Sequence, residues 1–335
     1  MVERLFVNPF RARAIQDQEL ILGGIQQHRI SQADALRFLL EAETVGDDEL
    51  AAVGEPIAGW LREQRFLVPY ASTDDHRLSR QLGFFSFWPD DPARRQEKLR
   101  RATVAVLGVG GVGSQVAMLL AAAGVGKLRL CDGDRVERSN LNRQLLYEEG
   151  DVGRPKVRVA EERLARLNPE TAIESVSCRI ATTADARALS EGVDVVVRAI
   201  DTPPDIGFVV NEACREVGVP HVGGGFVETW AVAGPFVDAD GPCLRCTLAP
   251  PALRFPRDRK AATFAPITFW LSSYVAGDVL RFLAGLGTPW LRERMVLLDG
   301  STGMTYDTRL RPLPEPCPVC QRDNRSTPVP ATPMG

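Results

Sequence analysis

A glycine-rich segment lies directly after a short apolar run of strand length. It reads Gly108-Val-Gly110-Gly111-Val-Gly113, follows TVAVLG and precedes the helical pattern SQVAMLLAAAG. Glycines lack a Cβ, so backbone N–H groups can approach a phosphate closely, and the start of a helix attracts negative charge. The pattern predicts a nucleotide-binding turn, and by itself it leaves open a nicotinamide, a flavin or ATP.

Charged residues after this turn narrow the choice of nucleotide. Asp132 ends the next apolar run, KLRLCD, where a carboxylate can accept both ribose hydroxyls, as in an NAD-dependent oxidoreductase. The amide of Asn140 and the cations Arg143 and Lys156 suit a triphosphate better than the pyrophosphate bridge of NAD. Asp201 follows the strand pattern DVVVRAI and can ligate magnesium. ATP with Mg²⁺ is therefore the expected ligand.

Four of the seven cysteines form two Cys-x-x-Cys pairs, Cys243/Cys246 and Cys317/Cys320. In a cytosolic chain this spacing indicates metal rather than disulfides, and four thiolates suit a closed, structural Zn²⁺ site that leaves no position for a reacting water. The alternative is a set of unrelated reduced thiols. We expect zinc to tie the end of the chain to the sheet.

The other cysteines offer no evident nucleophile. Cys131, Cys178 and Cys214 lie in or beside predicted strands and helices, where buried, unreactive thiols are expected. No cysteine occurs between Cys246 and Cys317, and the three histidines are scattered. No Cys/His or Ser/His pairing of a nucleophile with a base is therefore evident.

The elements that position these residues alternate between strand and helix patterns from Thr103 onward. TVAVLG, KLRLCD, DVVVRAI and VPHVGG are apolar runs of strand length, and WAVAGPFVD, MVLLDG and YDTRLRPL follow later in the chain. This order predicts an α/β fold with a doubly wound, Rossmann-like, mostly parallel sheet. Ligands of such sheets bind at the carboxyl ends of the strands.

Residues 1–72 have a different pattern, which predicts a small winged-helix-like α+β domain. RARAI, LILGGI and FLVPY indicate short strands. One helix is expected over ALRFLL after Ser31, and a second is expected after Asp47, carrying apolar residues at helical spacing through Leu61. DNA binding, peptide docking and dimerisation are the alternatives for this domain. We expect the second domain to cover 73–320 and a polar, Pro-rich tail, 321–335, to be disordered.

Charge and hydropathy exclude several classes of partner. Forty Lys and Arg against forty-three Asp and Glu give a net charge of −3, so a nucleic-acid or membrane-surface partner is not expected. The N-terminal residues show no secretory signal pattern, which predicts a cytoplasmic protein. Phe264 to Leu286 is apolar, but Asp278 and Arg281 interrupt it, so a buried helix is expected there rather than a membrane span.

Taken together, these motifs resemble the ATP-dependent adenylating family of ThiF, MoeB, MccB and the ubiquitin-activating enzymes, also called HesA-like. The resemblance covers about residues 74–320 and rests on GVGGVG, LCDGDRVERSNLNRQLL, GRPK, AIDT and the paired Cys-x-x-Cys. It implies that Asp132 binds the ribose and that Asn140, Arg143 and Lys156 bind the phosphates. It also implies that Asp201 is the catalytic aspartate associated with magnesium.

The segment Arg77-Leu-Ser-Arg80-Gln81 resembles the family's R-x-x-R-Q motif. In the family, the second arginine of this motif reaches the ATP site of the partner subunit. The resemblance therefore implies a homodimer in which Arg80 completes the neighbouring site.

The resemblance implies an enzyme that adenylates a carboxylate and releases pyrophosphate. The extra N-terminal segment and the lack of a thioester cysteine favour the MccB-like branch, which modifies ribosomally made peptides held by an N-terminal clamp. The alternatives are a sulfur-carrier adenylyltransferase acting on a C-terminal Gly-Gly, and a non-catalytic scaffold that presents a peptide. Candidate substrate contacts, with a solvated basic loop as the alternative, are Arg254, Arg257, Arg259 and Lys260.

Overall fold

The chain forms two units, Met1–Lys98 and Leu99–Gly335. The structure is a computed structural model, and it describes residues 5–8, 11, 13–16, 19–22, 28–30, 44–68, 77–239, 241–247, 263–310, 317 and 319–320. The helix expected over ALRFLL, the basic residues 254–260 and the tail 321–335 lie outside these residues.

The first unit contains two small antiparallel sheets with helices. Strands β5, β1 and β6 form one sheet, and β2, β3 and β4 form the other. Of the strands expected over RARAI, LILGGI and FLVPY, the described residues confirm Arg13–Gln16, Glu19–Leu22 and Leu67–Val68. The bounds are β1 Leu5–Val7, β2 Arg13–Gln16, β3 Glu19–Leu22, β4 His28–Ile30, β5 Thr44–Val45, α1 Asp47–Val53, α2 Glu55–Glu63, β6 Leu67–Val68 and α3 Ser79–Phe85. Helix α4, Pro92–Arg101, begins in this unit and ends in the second.

The single helix expected after Asp47 is wrong, because the structure has two helices there. Gly54 separates them with φ of 78°, a left-handed conformation that glycine adopts without strain. Pro56 lies in the first turn of α2, where its missing N–H costs no helical hydrogen bond. The apolar spacing nevertheless continues across the break, since residues from Leu50 to Leu61 pack into one buried cluster.

The second unit is built on one eight-stranded sheet in the order β14-β13-β12-β11-β10-β7-β8-β9. Its strands are β7 Thr103–Leu107, β8 Lys127–Cys131, β9 Ala172–Val176, β10 Val195–Arg198, β11 His221–Val227, β12 Trp230–Val237, β13 Arg294–Asp299 and β14 Thr305–Arg309. Its helices are α5 Gly111–Ala122, α6 Lys156–Leu167, α7 Thr183–Ser190, α8 Ile206–Val217, α9 Leu244–Thr247 and α10 Ala265–Ala284, with 3-10 turns at Arg138–Asn140 and Glu149–Asp151.

The predicted Rossmann-like, doubly wound arrangement is confirmed. Strands β11, β10, β7, β8 and β9 pair in parallel, whereas β12, β13 and β14 extend the sheet in antiparallel fashion. Along β7, Val104 and Val106 pack into the core with α5 and α10, and Ala105 and Leu107 pack into a second core with α7 and α8. Because both faces are covered, the parallel strands are apolar at nearly every position.

The helix expected within Phe264 to Leu286 is α10, which packs against α5. The hydroxyl of Ser272 on α10 donates to the backbone oxygen of Val112 on α5, 3.2 Å away. This contact holds α10 beside the start of α5. None of the helices in the described part of the chain combines the length and the apolar composition needed to cross a bilayer.

A buried carboxylate fixes the loop that follows α10. Asp278 accepts hydrogen bonds from the backbone N–H groups of Trp290 and Leu291. Burial raises the pKa of Asp278 to about 6, while these two N–H groups lower it and Arg281 lowers it further. The Asp278 carboxyl therefore binds its proton more tightly in the native state than in the unfolded chain.

We expect Asp278 to reduce stability as pH rises from about 4 to about 6. The unfolded carboxyl releases its proton near pH 4 and the native one near pH 6, a difference of about 3 kcal/mol. The measurement is the free energy of unfolding of the wild type minus that of Asp278→Asn, followed against pH. This difference should decrease through the window and level off above it.

Asp185 supplies a control of opposite sign. The pKa of Asp185 is lowered because its carboxylate accepts from the N–H of Ala181 and contacts Thr182. The stability difference between the wild type and Asp185→Asn should therefore be present above about pH 4 and be lost as pH falls further. A pH-independent difference for Asp278→Asn would contradict the expectation.

Candidate functional site

The glycine-rich turn connects β7 to α5 at the carboxyl edge of the sheet. Gly108 has φ of 90°, and a Cβ there would lie 2.4 Å from the backbone oxygen of Ala199. A Cβ on Gly113 would lie only 1.8 Å from the oxygen of Gly108. A Cβ on Gly110 would meet only Gln144 Nε2, at 3.6 Å. The outer glycines are thus required by the fold of the turn, whereas Gly110 keeps its surface open to a ligand.

Asp132 follows β8 and joins this turn. Its Oδ2 accepts from the N–H of Val109 at 2.8 Å, and its Oδ1 accepts from the N–H of Asp134 at 2.8 Å. Each carboxylate oxygen can accept a further hydrogen bond. The two backbone contacts therefore orient the carboxylate and leave it able to receive two hydroxyl groups.

Asn140 and Arg143 lie on the segment beside the glycines. Arg143 Nη1 donates to the backbone oxygen of Ser139 and to Asn142 Oδ1, both at 2.9 Å, and its Cγ and Nε lie 4.0 Å from a Cβ placed on Gly111. No carboxylate in the described ranges pairs with Arg143. The buried Asn140 uses its Oδ1 to accept from the N–H of Glu137 at 3.1 Å. Neutral acceptors therefore hold the Arg143 guanidinium beside the turn.

Lys156 opens α6, as its position after GRP predicts. Its side chain is buried, and Nζ lies 3.4 Å from Asp134 Oδ2. Asp134 also pairs with Arg179 at 3.2 Å and donates its N–H to Asp132. The ammonium group of Lys156 is thus linked through one residue to the carboxylate of Asp132.

Asp201 lies in the exposed segment after β10. The hydroxyl of Thr202 donates to its Oδ1 at 3.3 Å. The preceding residue, Ile200, contacts the glycine turn, since a Cβ on Gly108 would lie 2.6 Å from its Cγ2. Asp201 therefore belongs to the same edge of the sheet as the turn.

The structure therefore brings the glycine turn, Asp132, Arg143, Lys156 and Asp201 to one edge of the second unit. Arg80 lies apart from them in the chain. It is an exposed residue of α3 in the first unit.

Two side chains that the sequence reasoning missed hold the turn in place. Tyr147 donates its buried hydroxyl to the backbone oxygen of Val109 at 2.7 Å, and burial raises the pKa of this phenol, so it remains a donor. Gln115 Nε2 donates to the backbone oxygen of Arg143 at 2.7 Å. Polar residues in a helical or turn pattern give no sign of such distant acceptors, which is why the sequence did not reveal them.

The four paired cysteines meet in one buried cluster, with all four Sγ atoms within 4.8 Å of one another. The Sγ distances are 3.7 Å for Cys243 to Cys246, 3.5 Å for Cys243 to Cys317 and 3.1 Å for Cys246 to Cys320. Four sulfurs at about 2.3 Å from Zn²⁺ in a tetrahedron lie about 3.8 Å apart. The cluster needs only small adjustments to hold that ion.

The remaining cysteines lie inside the second unit. Cys131 and Cys214 are buried, and burial raises the pKa of both thiols, to about 12 for Cys214. Cys178 is half-buried, and its Sγ lies 2.7 Å from that of Cys131. Burial thus disfavours the thiolate form of Cys131 and Cys214.

Comparison with known proteins identifies relatives of this site and fold. The chain is 37% identical over 232 residues to the sulfur carrier protein adenylyltransferase of Thermus thermophilus, covering 67% of this chain and 84% of that protein. It is 32% identical over 286 residues to the adenylyltransferase and sulfurtransferase MOCS3 of Drosophila yakuba. This match covers 62% of the length of MOCS3, which is the longer protein.

The fold also matches a solved structure over nearly its whole length. Escherichia coli MccB crystallised with ATP superposes with a TM-score of 0.81 at 23% identity, covering 95% of this chain and 99% of that one. MccB is described elsewhere as the microcin C7 biosynthetic enzyme, in complex with N-formylated MccA. At this level of identity the likeness concerns the fold.

The fold, the nucleotide edge and these relatives define an ATP-dependent adenylyltransferase. The sequence model of the ThiF family matches residues 78–320, so the chain belongs to the ThiF family.

The glycine turn gives a prediction that separates folding from ligand binding. Gly113→Ala places a methyl group against the oxygen of Gly108, so it should lower the free energy of unfolding by about 3 kcal/mol or prevent folding. Gly110→Ala, at φ of −77°, should remain within about 1 kcal/mol of wild type and lose Mg-ATP binding. Chemical denaturation and nucleotide titration check both outcomes.

The matched control is Gly150→Ala, since a Cβ at Gly150 would meet nothing within 4 Å. It should change neither stability nor nucleotide binding. Equal losses of stability in Gly110→Ala and Gly113→Ala would refute the separate roles assigned to the two glycines.

Proposed function

We propose that this adenylyltransferase activates a carboxylate of a ribosomally made peptide during natural-product maturation. The observation that carries the proposal is the likeness to MccB, which extends over 95% of this chain and includes the N-terminal region. The sequence matches to the Thermus enzyme and to the MOCS3 proteins cover from 67% to 92% of the chain. Residues 1–72 are then the peptide clamp, and residues 73–320 perform the adenylation.

The geometry of the edge supports the following roles for the nucleotide-binding residues. Asp132 receives the ribose hydroxyls, and the N–H groups around Gly110 and Gly111 approach the phosphates. Arg143 and Lys156 neutralise the phosphate oxygens, with Asn140 as a further ligand. The support is that Arg143 has no carboxylate partner within the described ranges and that the surface of Gly110 is open.

In the reaction, a carboxylate oxygen of the peptide attacks the α-phosphorus of ATP. The bond from the α-phosphorus to the bridging oxygen breaks, and pyrophosphate leaves with its electron pair. Arg143 and Lys156 stabilise the charge that develops on the phosphates. When bound at Asp201, Mg²⁺ supplies additional charge neutralisation. No covalent enzyme intermediate is needed, which fits the lack of any cysteine between Cys246 and Cys317.

We assign Arg80 to the site of the partner subunit in a cytoplasmic homodimer. Arg80 is exposed on α3, as a side chain that reaches another copy must be. Neither nucleic acid nor membrane is a partner in this proposal, because the net charge is −3.

The cysteine cluster holds a structural Zn²⁺. Cys243 and Cys246 flank the start of α9, and Cys317 and Cys320 lie near the end of the chain, so the ion would link two segments distant in sequence. Four thiolate ligands close the coordination shell and leave the ion no part in the reaction.

A second candidate function is sulfur-carrier adenylation at a C-terminal Gly-Gly. The 37% identity to the Thermus enzyme favours it, since that relative shares more sequence with the chain than MccB does. A non-catalytic scaffold that presents a peptide is disfavoured, because Arg143, Lys156 and Asp201 are all retained.

Pyrophosphate release with Mg-ATP separates these functions. One reaction contains a short peptide encoded beside the gene, and the other contains a carrier protein that ends in Gly-Gly. Mass spectrometry follows each carboxyl substrate. We expect turnover with the peptide, together with a nucleotide-mass gain or a loss of water on it. Turnover with the carrier alone assigns the second function, and silence with both contradicts adenylation of these substrates.

Two variants test the assigned roles in the same assay. Arg143→Ala and Asp201→Ala should each lower the rate by about 100-fold or more, because charge stabilisation of the transition state is lost. Arg187→Ala is the control, since Arg187 is exposed on α7 and its ion-pair partner among the described residues is Glu191. Unchanged rates in the first two variants would remove these residues from the site.

The zinc assignment predicts one Zn²⁺ per chain by elemental analysis. Cys243→Ser should lose the ion and lower the melting temperature, because a buried ligand of the closed shell is missing. Cys214→Ser, which alters a buried cysteine outside the cluster, should retain the metal. A metal-free wild-type protein, purified without chelators, would contradict the assignment.

A further inference from the structure

Arg198 is a charged residue that the proposed mechanism does not use. It is the last residue of β10, three positions before Asp201. Its side chain lies on the α7 and α8 face of the sheet, as does that of Val196 two residues earlier. The next residue, Ala199, contacts the glycine turn through its backbone oxygen. Arg198 therefore lies at the edge of the sheet that binds the nucleotide.

Two glycines make room for the Arg198 guanidinium. A Cβ on Gly207, in the first turn of α8, would lie 3.1 Å from Nη1, and a Cβ on Gly223, which pairs with Arg198 across β10 and β11, would lie 3.1 Å from Cζ and Nη2. Such distances are tighter than ordinary carbon contacts. The space around the guanidinium is thus open only because these positions carry no side chain.

The guanidinium has no counterion among the described residues. Its Nε is buried without a hydrogen-bond partner, and no carboxylate of the described residues pairs with the side chain. The nearby Cys214 thiol is neutral near pH 7, because burial raises its pKa to about 12. His221 is neutral as well, because burial and the charges of Arg198 and Arg215 lower its pKa to about 3. Within the described part of the chain, the positive charge is therefore left without compensation.

A buried donor nearby also lacks a partner among the described residues. It is Asn211 Nδ2 on α8, whereas the Oδ1 of the same amide accepts from the N–H of Leu244 at 2.8 Å. The start of α8 adds its own positive partial charge. Arg198 is half-buried, and its Nε is fully buried. A cation partly removed from water is unfavourable unless an anion meets it, and a guanidinium fork matches the two oxygens of an oxyanion.

We propose that Arg198 is an oxyanion-binding residue of the adenylation site, which takes a carboxylate of the acceptor substrate or a phosphate of the nucleotide. The proposal extends the function proposed above by giving the site a specificity-determining cation that its known motifs do not include. A carboxylate held there would orient the substrate relative to Asp201.

Thermal unfolding of the full-length protein tests this without turnover. The probes are succinate, neutral succinamide and Mg-ATP, at an ionic strength held constant with NaCl. In tens of millimolar succinate, the melting temperature of the wild type should rise by about 2 °C or more, and succinamide should have no effect. Arg198→Met should not respond to succinate. Without ligand it should melt at or above the wild-type temperature, because an uncompensated charge is removed.

The remaining variants and the nucleotide arm identify the oxyanion. Arg198→Lys keeps the positive charge but loses the two-pronged guanidinium, so succinate should raise its melting temperature by less than it raises that of the wild type. This variant also provides the test if Arg198→Met does not fold. Arg187→Met is the matched surface control and should respond as wild type. A different result would identify the oxyanion as a phosphate. In that case neither the wild type nor any variant responds to succinate, and Arg198→Met binds Mg-ATP about tenfold more weakly than the wild type.

Wild-type responses of Arg198→Met and Arg198→Lys to both succinate and Mg-ATP would overturn the proposal. Failure of pyrophosphate release with every carboxyl substrate would contradict the proposed function but would not overturn the role of Arg198, because the melting temperatures report binding alone.

Discussion

The close approach of three backbone segments at the carboxyl edge of the sheet is the constraint on which the rest of the site depends. The oxygen of Gly108 lies where a side chain on Gly113 would be, and the oxygen of Ala199 lies where one on Gly108 would be. These contacts bring the ends of β7 and β10 together and aim the start of α5 at the same point. Every residue assigned to the nucleotide is held relative to this turn.

The electrostatics at the carboxyl edge of the sheet depend on the groups that contact its two cations, Arg143 and Lys156. Neutral oxygens of Ser139 and Asn142 hold Arg143, whereas Lys156 is linked through Asp134 to Asp132. Cations supported in this way remain able to attract phosphate. The buried phenol of Tyr147 fixes the turn without adding charge. The site is thus prepared for an anionic ligand before that ligand binds.

Much of this arrangement could be predicted because the relevant signals are local. The strand patterns predicted every strand of the second unit except β9, and the order of the glycines placed the turn between β7 and α5. The break at Gly54 was missed because the apolar spacing from Leu50 to Leu61 continues through it. The role of Asp134, the support from Gln115 and the unpaired charge of Arg198 depend on contacts between residues distant in sequence, which spacing alone does not reveal.

The central claim is that the edge binds ATP through a ribose contact at Asp132 and phosphate contacts at Arg143. Calorimetric titration of the full-length protein with Mg-ATP and, separately, with NAD tests it most directly. The account predicts saturable Mg-ATP binding that weakens by about tenfold or more in Asp132→Asn, because a charge-assisted hydrogen bond is lost, and no binding of NAD. Tight NAD binding, or Mg-ATP affinity that Asp132→Asn leaves unchanged, would contradict the account.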